Sequence, residues 1–308
     1  MPAPQSLVFP LRLLYHIYTL IATNYYRCYT DTNYPERIII MLNDKKLFLF
    51  DIDGTLALDN DLFDGSADLL AYIEKIGGMS FFITNNSTMS NEDYVRKFSR
   101  CFHLETSADF FITSGYMTIA YMKEHFEGKT LFVVGTDSYM AELAKNGLTV
   151  TDNPAGAECV LVCFDNSLTY KKLENACLLL SNPEIPFYAT NSDLCCPSGF
   201  GFIPDCGSIC QMLTSCTGRI PVYLGKPSRS FVDVCIQKSH FTPEETIVIG
   251  DRLYTDIACG INAGVDTCVV YTGEATPKET ACSEYRPTYA FENIRAFYEA
   301  LKNSSSQS

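Results

Sequence analysis

Two carboxylates separated by one apolar residue, then a glycine and a threonine, make Asp51-Ile52-Asp53-Gly54-Thr55 the run of this chain best suited to chemistry. It follows Leu47–Phe50 (LFLF), an all-apolar stretch that reads as a strand buried on both faces. In open parallel sheets, ligands sit beyond the carboxyl ends of strands. Residues past a strand end alternate in direction, so Asp51 and Asp53 point into one crevice while Ile52 turns back into the core. Gly54 permits a sharp exit, and the Thr55 hydroxyl can fix a carboxylate. Alone, this run reads equally as a surface turn, since Asp and Gly are common turn residues.

Three further runs share the strand-end placement. Thr84-Asn85-Asn86 follows Ser80–Thr84 (SFFIT) and offers a hydroxyl and amides able to hold phosphoryl oxygens. Gly225-Lys226-Pro227 follows Val222–Leu224 and places one ammonium in the crevice, with Pro227 suited to a first helical turn. Gly250–Asp256 (GDRLYTD) follows TIVIG and adds Asp251 at a strand end and Asp256 five residues on. Each is bland singly: an Asn-rich turn, a solvated lysine, a helix N-cap. Together they describe a crevice fit for a phosphoryl group.

Positioning these runs takes a repeating scaffold. Short β-type runs alternate with helical patterns from Lys46 onward, with further strands expected at Leu131–Val134, Cys159–Phe164, Phe187–Thr190 and Thr267–Val270. Such alternation implies an α/β fold with a parallel sheet covered by helices on both faces. One helix has Leu69, Leu70, Ile73 and Ile76 on one face and closes at Gly77-Gly78; another opens at Ser90 with Asp93 in a capping-box arrangement. The chain is too long for one such unit, and its chemical residues cluster in 51–86 and 226–256. A second α/β module inserted into the first is therefore expected: core 41–126, insert 127–205, core 206–302, tail 303–308. Residues 1–40 differ in character and are expected to form a poorly ordered extension, with Met41 the true start.

The 36 acidic and 23 basic residues give a net charge of −13, which argues against partners such as duplex nucleic acid or an anionic membrane. A bound divalent cation inverts the local sign of a site and keeps small phosphorylated substrates open. The 14 cysteines include no CxxC pair, so a reduced, cytoplasmic protein is expected rather than a disulfide framework or zinc site. His16, His103, His125 and His240 lie outside every motif, which rejects a Ser/His or Cys/His hydrolase.

Four strand-end motifs in this order resemble the haloacid dehalogenase (HAD) superfamily. Tyr188–Asp193 and Gly201–Ile209 further resemble segments of its NagD-like, p-nitrophenylphosphatase-like subfamily IIA, and the likeness spans about residues 45–300. A local departure is Leu194–Ser198 (LCCPS), which bears on substrate rather than reaction. The resemblance implies a Rossmann-like parallel-sheet core with an inserted α/β cap of the second type. It also implies a Mg²⁺-dependent phosphatase of small phosphomonoesters: sugar phosphate, nucleotide, phosphoglycolate or aryl phosphate. By motif, Asp51 resembles the nucleophile that becomes phosphorylated, and Asp53 the general acid and then base. Asp51, Asp251 and the Asp53 carbonyl resemble the Mg²⁺ ligands, with Asp256 behind them. Thr84, the Asn85 amide and Lys226 resemble the phosphoryl binders. Asn191 and Asp193 read equally as groups facing the leaving group and as turn residues. The partner expected is a small phosphorylated metabolite, and related caps pair into homodimers. A phosphotransferase or mutase, and a catalytically silent metabolite-binding protein on this fold, are the alternatives. A phospho-acceptor signalling domain is smaller and lacks the second carboxylate.

Overall fold

The computed structural model describes residues 42–304. The expected extension 1–40, the start at Met41 and residues 305–308 of the expected tail lie outside the described residues. The chain opens with β1 (Leu47–Phe50), a small hairpin of β2 (Ala57–Leu58) and β3 (Asp61–Leu62), and α1 (Ser66–Lys75). It continues through β4 (Met79–Thr84), α2 (Asn91–Lys97), β5 (Phe111–Thr113) and α3 (Ser114–His125). A second series follows: β6 (Thr130–Val134), α4 (Asp137–Lys145), β7 (Thr149–Thr151), β8 (Cys159–Val162), α5 (Tyr170–Leu180) and β9 (Phe187–Ala189). Next come the hairpin β10 (Cys195–Ser198) and β11 (Gly201–Pro204), α6 (Cys206–Thr217) and β12 (Val222–Tyr223). The chain ends with α7 (Ser230–Ser239), β13 (Thr246–Gly250), α8 (Ala258–Ala263), β14 (Asp266–Val270), α9 (Pro277–Cys282), β15 (Tyr289–Phe291) and α10 (Ile294–Ser304).

The main sheet is parallel in the order β15-β14-β13-β1-β4-β5. Its strand β1 explains the fold in miniature. Phe48 and Phe50 join one apolar cluster with Ile247, Ile249 and Phe297, while Leu47 and Leu49 join another with Phe81, Val248 and Phe231. That period of two is what an all-apolar strand between two helical layers requires. The chain runs from β1 outward to β4 and β5, then returns to β13 on the other flank. The reversal makes the end of β1 a topological switch point, where the carboxyl ends of strands leave a crevice.

A second parallel sheet has the order β12-β9-β8-β6-β7. Phe132, Val134 and Val162 pack with Ile209 and Leu213 of α6 on one face; Leu131, Val133 and Leu161 pack with Met122 and Leu143 on the other. This corrects the expected return to the core at residue 206. Helix α6 covers the second sheet, and β12 pairs with β9 through Val222↔Tyr188 and Tyr223↔Ala189. The Val222–Leu224 run is a short, exposed edge rather than a core strand. Its apolar residues resemble a buried strand in sequence, but only sheet order separates the two. Strands β5, β7 and β15 and both hairpins are not among the strands expected from the sequence.

The capping box at Ser90 and Asp93 is present, as is the positive-φ Gly77 after α1. Asn303 and Ser304, expected in the tail, close α10. Among the described residues, no helix is long and apolar enough to cross a membrane.

Phe111 of β5 shows how tightly the core is built. Its ring lies 5.0 Å from Phe82, 5.4 Å from Tyr94 and 5.0 Å from Phe98. Phe111→Ala is expected to destabilise the fold by about 3–5 kcal/mol, measured as a lowered denaturation midpoint at unchanged slope.

Candidate active site

The carboxyl end of β1 delivers Asp51 into the crevice, its N–H donating to the Ile249 carbonyl at 2.9 Å. Ile52 turns back and is fully buried. Gly54 takes φ +96°, a left-handed turn that also brings the chain against Asp251: a Cβ there would lie 2.7 Å from an Asp251 oxygen. The turn leaves Asp53 facing the same cavity as Asp51. That cavity is also lined by Thr84, Asn85, Lys226 and Asp256. Four runs dispersed over some two hundred residues thus meet in one place.

Asp51, Asp251 and Asp256 are buried, with one oxygen from each lying within 4.8 Å of the others. Lys226 reaches into this cluster, its Nζ donating to Asp51 at 2.7 Å, Asp256 at 2.6 Å and the Ile83 carbonyl at 2.9 Å. Burial pushes the Asp51 carboxyl up to about 6 against the opposing pull of Lys226. Burial raises Asp251 too, with the Asp256 charge adding to it, and raises Asp256 against Lys226 with the Asp51 charge adding. Burial would lower the Lys226 ammonium, but Asp256 and Asp51 outweigh it and hold the lysine charged.

The oxygens of these acids are unequally committed. Asp256 receives Lys226 on one oxygen and the Arg252 N–H on the other at 3.0 Å. Asp251 Oδ2 accepts the Glu274 N–H at 2.8 Å. Among the described residues, Asp251 Oδ1 and Asp51 Oδ2 share only the Thr55 hydroxyl, at 3.2 and 3.5 Å. A buried set of oxygen donors with two loosely held carboxylate oxygens suits a hard divalent cation, and Asp256 stands behind that pair.

Asp53 is held differently. Its carboxylate accepts from Asn86 Nδ2 at 3.1 Å and lies 3.9 Å from Lys97 Nζ. Thr84 lines the cavity and its hydroxyl accepts the Asn86 N–H. The Asn85 side chain does not face a ligand: Oδ1 accepts the Lys226 N–H at 2.8 Å, and Nδ2 donates to the Lys226 carbonyl. It clasps the main chain of Lys226, leaving its own main-chain amide as the group that can serve a phosphoryl oxygen. Lys226 does not follow a core strand, as the sequence reading expected, but sits where the chain leaves β12 for α7.

Asn191 and Asp193 are buried, so neither is a surface turn residue. Asn191 donates to Asp193 at 3.1 Å and Asp205 at 3.0 Å, and Asp193 meets Arg252 at 3.2 Å. Burial, then the nearby Asp193 charge, raises the Asp205 carboxyl. Sequence reasoning assigned no role to Arg252, Asp205, Cys196 or Lys97. Arg252 lies inside a quoted motif, so attention to its charge was enough to find it. Nothing near Lys97 in sequence marks it as a neighbour of Asp53, whereas Cys196 lies in the Leu194–Ser198 run already linked to substrate.

A crevice of carboxylates and one lysine at the switch point of a parallel sheet has the makeup of a site for a cation together with a phosphoryl group. Residues 48–149 match the haloacid dehalogenase-like hydrolase family, and 223–297 match a HAD-hydrolase-like family. An acid sugar phosphatase of Staphylococcus haemolyticus is 30% identical over 264 residues, covering 86% of this chain and 99% of that protein. Among solved structures, the 4-nitrophenylphosphatase of Thermotoga maritima is 35% identical with a TM-score of 0.78, covering 85% of this chain and 99% of its own. NagD from E. coli K-12 is 30% identical with a TM-score of 0.71, covering 82% and 97%. The chain belongs to the haloacid dehalogenase-like hydrolases, within their NagD-like and p-nitrophenylphosphatase-like group. It is a phosphoric monoester hydrolase.

Gly273 lies against the cluster with no room for a side chain, since a Cβ there would fall 1.9 Å from Asp251 Oδ2. Gly273→Ala is expected to displace Asp251 and lower kcat/KM by about 10²-fold. The check is steady-state phosphate release alongside a melting curve that stays close to wild type.

Proposed function

We propose that the protein is a Mg²⁺-dependent phosphatase of small phosphomonoesters that works through an aspartyl-phosphate on Asp51. The observation that carries this reading is the unequal setting of two carboxylates in one cavity. Asp51 is fixed by Lys226, while Asp53 is held from the other side by Asn86 and Lys97. Such a pair divides nucleophilic attack from proton transfer.

In the first half-reaction an Asp51 oxygen attacks phosphorus and the bond to the leaving oxygen breaks. That oxygen keeps the bonding pair and takes the proton from Asp53, giving the free alcohol. In the second, Asp53 accepts a proton from a water that attacks phosphorus, and the Asp51–phosphorus bond breaks to release phosphate. Lys226, the Thr84 hydroxyl and the Asn85 main-chain amide offset charge on the phosphoryl oxygens, and Asn85 fixes Lys226 in place. Asp51, Asp251 and the Asp53 carbonyl would hold Mg²⁺, which neutralises the carboxylates and the phosphate dianion when bound.

The names of the relatives support sugar phosphates and aryl phosphates as substrates. Nucleotides and phosphoglycolate fall within the same range of small phosphorylated metabolites. The thirteen cysteines among the described residues are free thiols, which supports a reducing, cytoplasmic setting.

A homodimer formed through the cap is part of this reading. Exposed Tyr170 and Met212 border an outer groove between α5 and α6, a face suited to pairing. Light scattering is expected to give twice the chain mass, and a monomer at high concentration removes this element.

Asp51→Asn is expected to abolish phosphate release from an aryl phosphate while the melting temperature holds. Stripping divalent cations from the wild type should silence it until Mg²⁺ is restored. A tenth of the wild-type rate surviving in the variant would exclude Asp51 as nucleophile, and full activity after stripping would exclude the metal.

A further inference from the structure

We propose that Arg252 is a positioning residue that locks the second module over the catalytic cavity, and that release of this lock opens the cavity. Its main chain and side chain serve different halves of the molecule. The Arg252 N–H donates to Asp256 Oδ2 inside the carboxylate cluster. The guanidinium crosses to the second module, where Nη1 meets Asp193 at 3.2 Å and Nη2 donates to the Cys195 carbonyl at 2.8 Å. Nε meets Glu274 at 3.0 Å on the core side. The Nη2 contact has hydrogen-bond geometry and the other two are close ion pairs. The delocalised charge of one guanidinium thus serves two carboxylates while one N–H holds a carbonyl, a combination the single ammonium of lysine does not match.

The receiving side is built in advance. Asn191 holds Asp193, Thr190 donates to Asn191 at 2.9 Å, and the Thr190 hydroxyl meets Ser87 of the core at 3.0 Å. Cys195 is the root of the β10–β11 hairpin, and the next residue, Cys196, lines the cavity. The tip of the same hairpin is pinned to the core, Gly199 N–H donating to Asp59 at 2.7 Å. Arg252 therefore decides whether the root of the hairpin, and with it Cys196, stays over the cavity.

Other polar contacts across the junction differ in kind. Lys145–Glu92 and Ser138–Asp93 lie on the surface, where such contacts contribute little. The Ser87 hydroxyl, which accepts the Phe164 N–H at 3.0 Å and meets Thr190, is buried but uncharged. The Arg252–Asp193 pair is almost wholly buried, so losing one partner leaves a charge stranded.

The test reads cavity opening without relying on turnover. Cys196 is alkylated with N-ethylmaleimide and followed by peptide mass spectrometry, with Cys206, buried in the core of the second module, as the internal control. Arg252→Ala is expected to raise the rate at Cys196 by about tenfold and leave Cys206 unchanged, because labelling follows the open population. KM for an aryl phosphate should rise more than kcat falls, and Arg252→Lys should restore only part of either effect. Asp193→Asn keeps the shape of its partner and is expected to shift Cys196 in the same direction if the alanine variant folds poorly. Wild-type labelling at Cys196 in both variants, or Cys196 and Cys206 rising together, overturns the lock. An inactive Asp51→Asn protein with normal labelling leaves it standing, so the lock and the proposed chemistry fail separately.

Discussion

Like charges held close together out of water are the constraint on which this molecule is organised. One oxygen from each of Asp51, Asp251 and Asp256 lies within 4.8 Å of the others. At that distance and an effective dielectric of about 20, each pair repels by at least roughly 3 kcal/mol. Three pairs together approach roughly 10 kcal/mol, comparable to the entire stability of a domain. Lys226, touching two of the acids, offsets much of this, but desolvating four ions costs several kcal/mol each. Three carboxylates against one ammonium leave the cluster net negative, an imbalance of the sign that a bound divalent cation would offset. The local features answer to the same need: the Thr55 hydroxyl, the N–H groups of Glu274 and Arg252, and glycines that let chain and carboxylate approach.

The sheet supplies the geometry that this arrangement demands. Parallel strands end on one side, and the switch between β4 and β13 about β1 leaves the space into which Asp51 and Asp251 project. Apolar side chains on both faces of β1 keep that strand fixed, so the carboxylates sit on a rigid edge rather than a loop. A site that must hold repelling groups at fixed distances gains most from such rigidity.

Much of this was legible in the sequence because chemistry at strand ends leaves local marks. LFLF followed by two acids states both a buried strand and its outlet, and the four runs kept the order of a known family. What stayed hidden depends on contacts between distant residues. The edge strand Val222–Tyr223 reads like a core strand, since two apolar residues carry no record of which sheet they join. The Asn85 side chain also clasps Lys226, a role beyond the expected one of its amide and visible only once the two meet across 141 positions. Asn191 and Asp193 could not be decided from spacing; both are buried in a network with Arg252, and Asp193 also lines the cavity.

The position of Lys226 ties the two halves together electrostatically. Its ammonium is the cation directly bonded to the Asp51 and Asp256 carboxylates, yet its main chain begins where the second sheet ends. Asn85, at the end of core strand β4, grips that main chain on both its N–H and its carbonyl. A rotation of the second module that dragged this junction would have to break the clasp or withdraw the ammonium, stranding two buried carboxylates. The second must be the costlier event, because a lost neutral hydrogen bond is worth about 1 kcal/mol and an unpaired buried charge several times that. The charged bonds of Lys226 therefore oppose any displacement of this junction more strongly than the Asn85 clasp does.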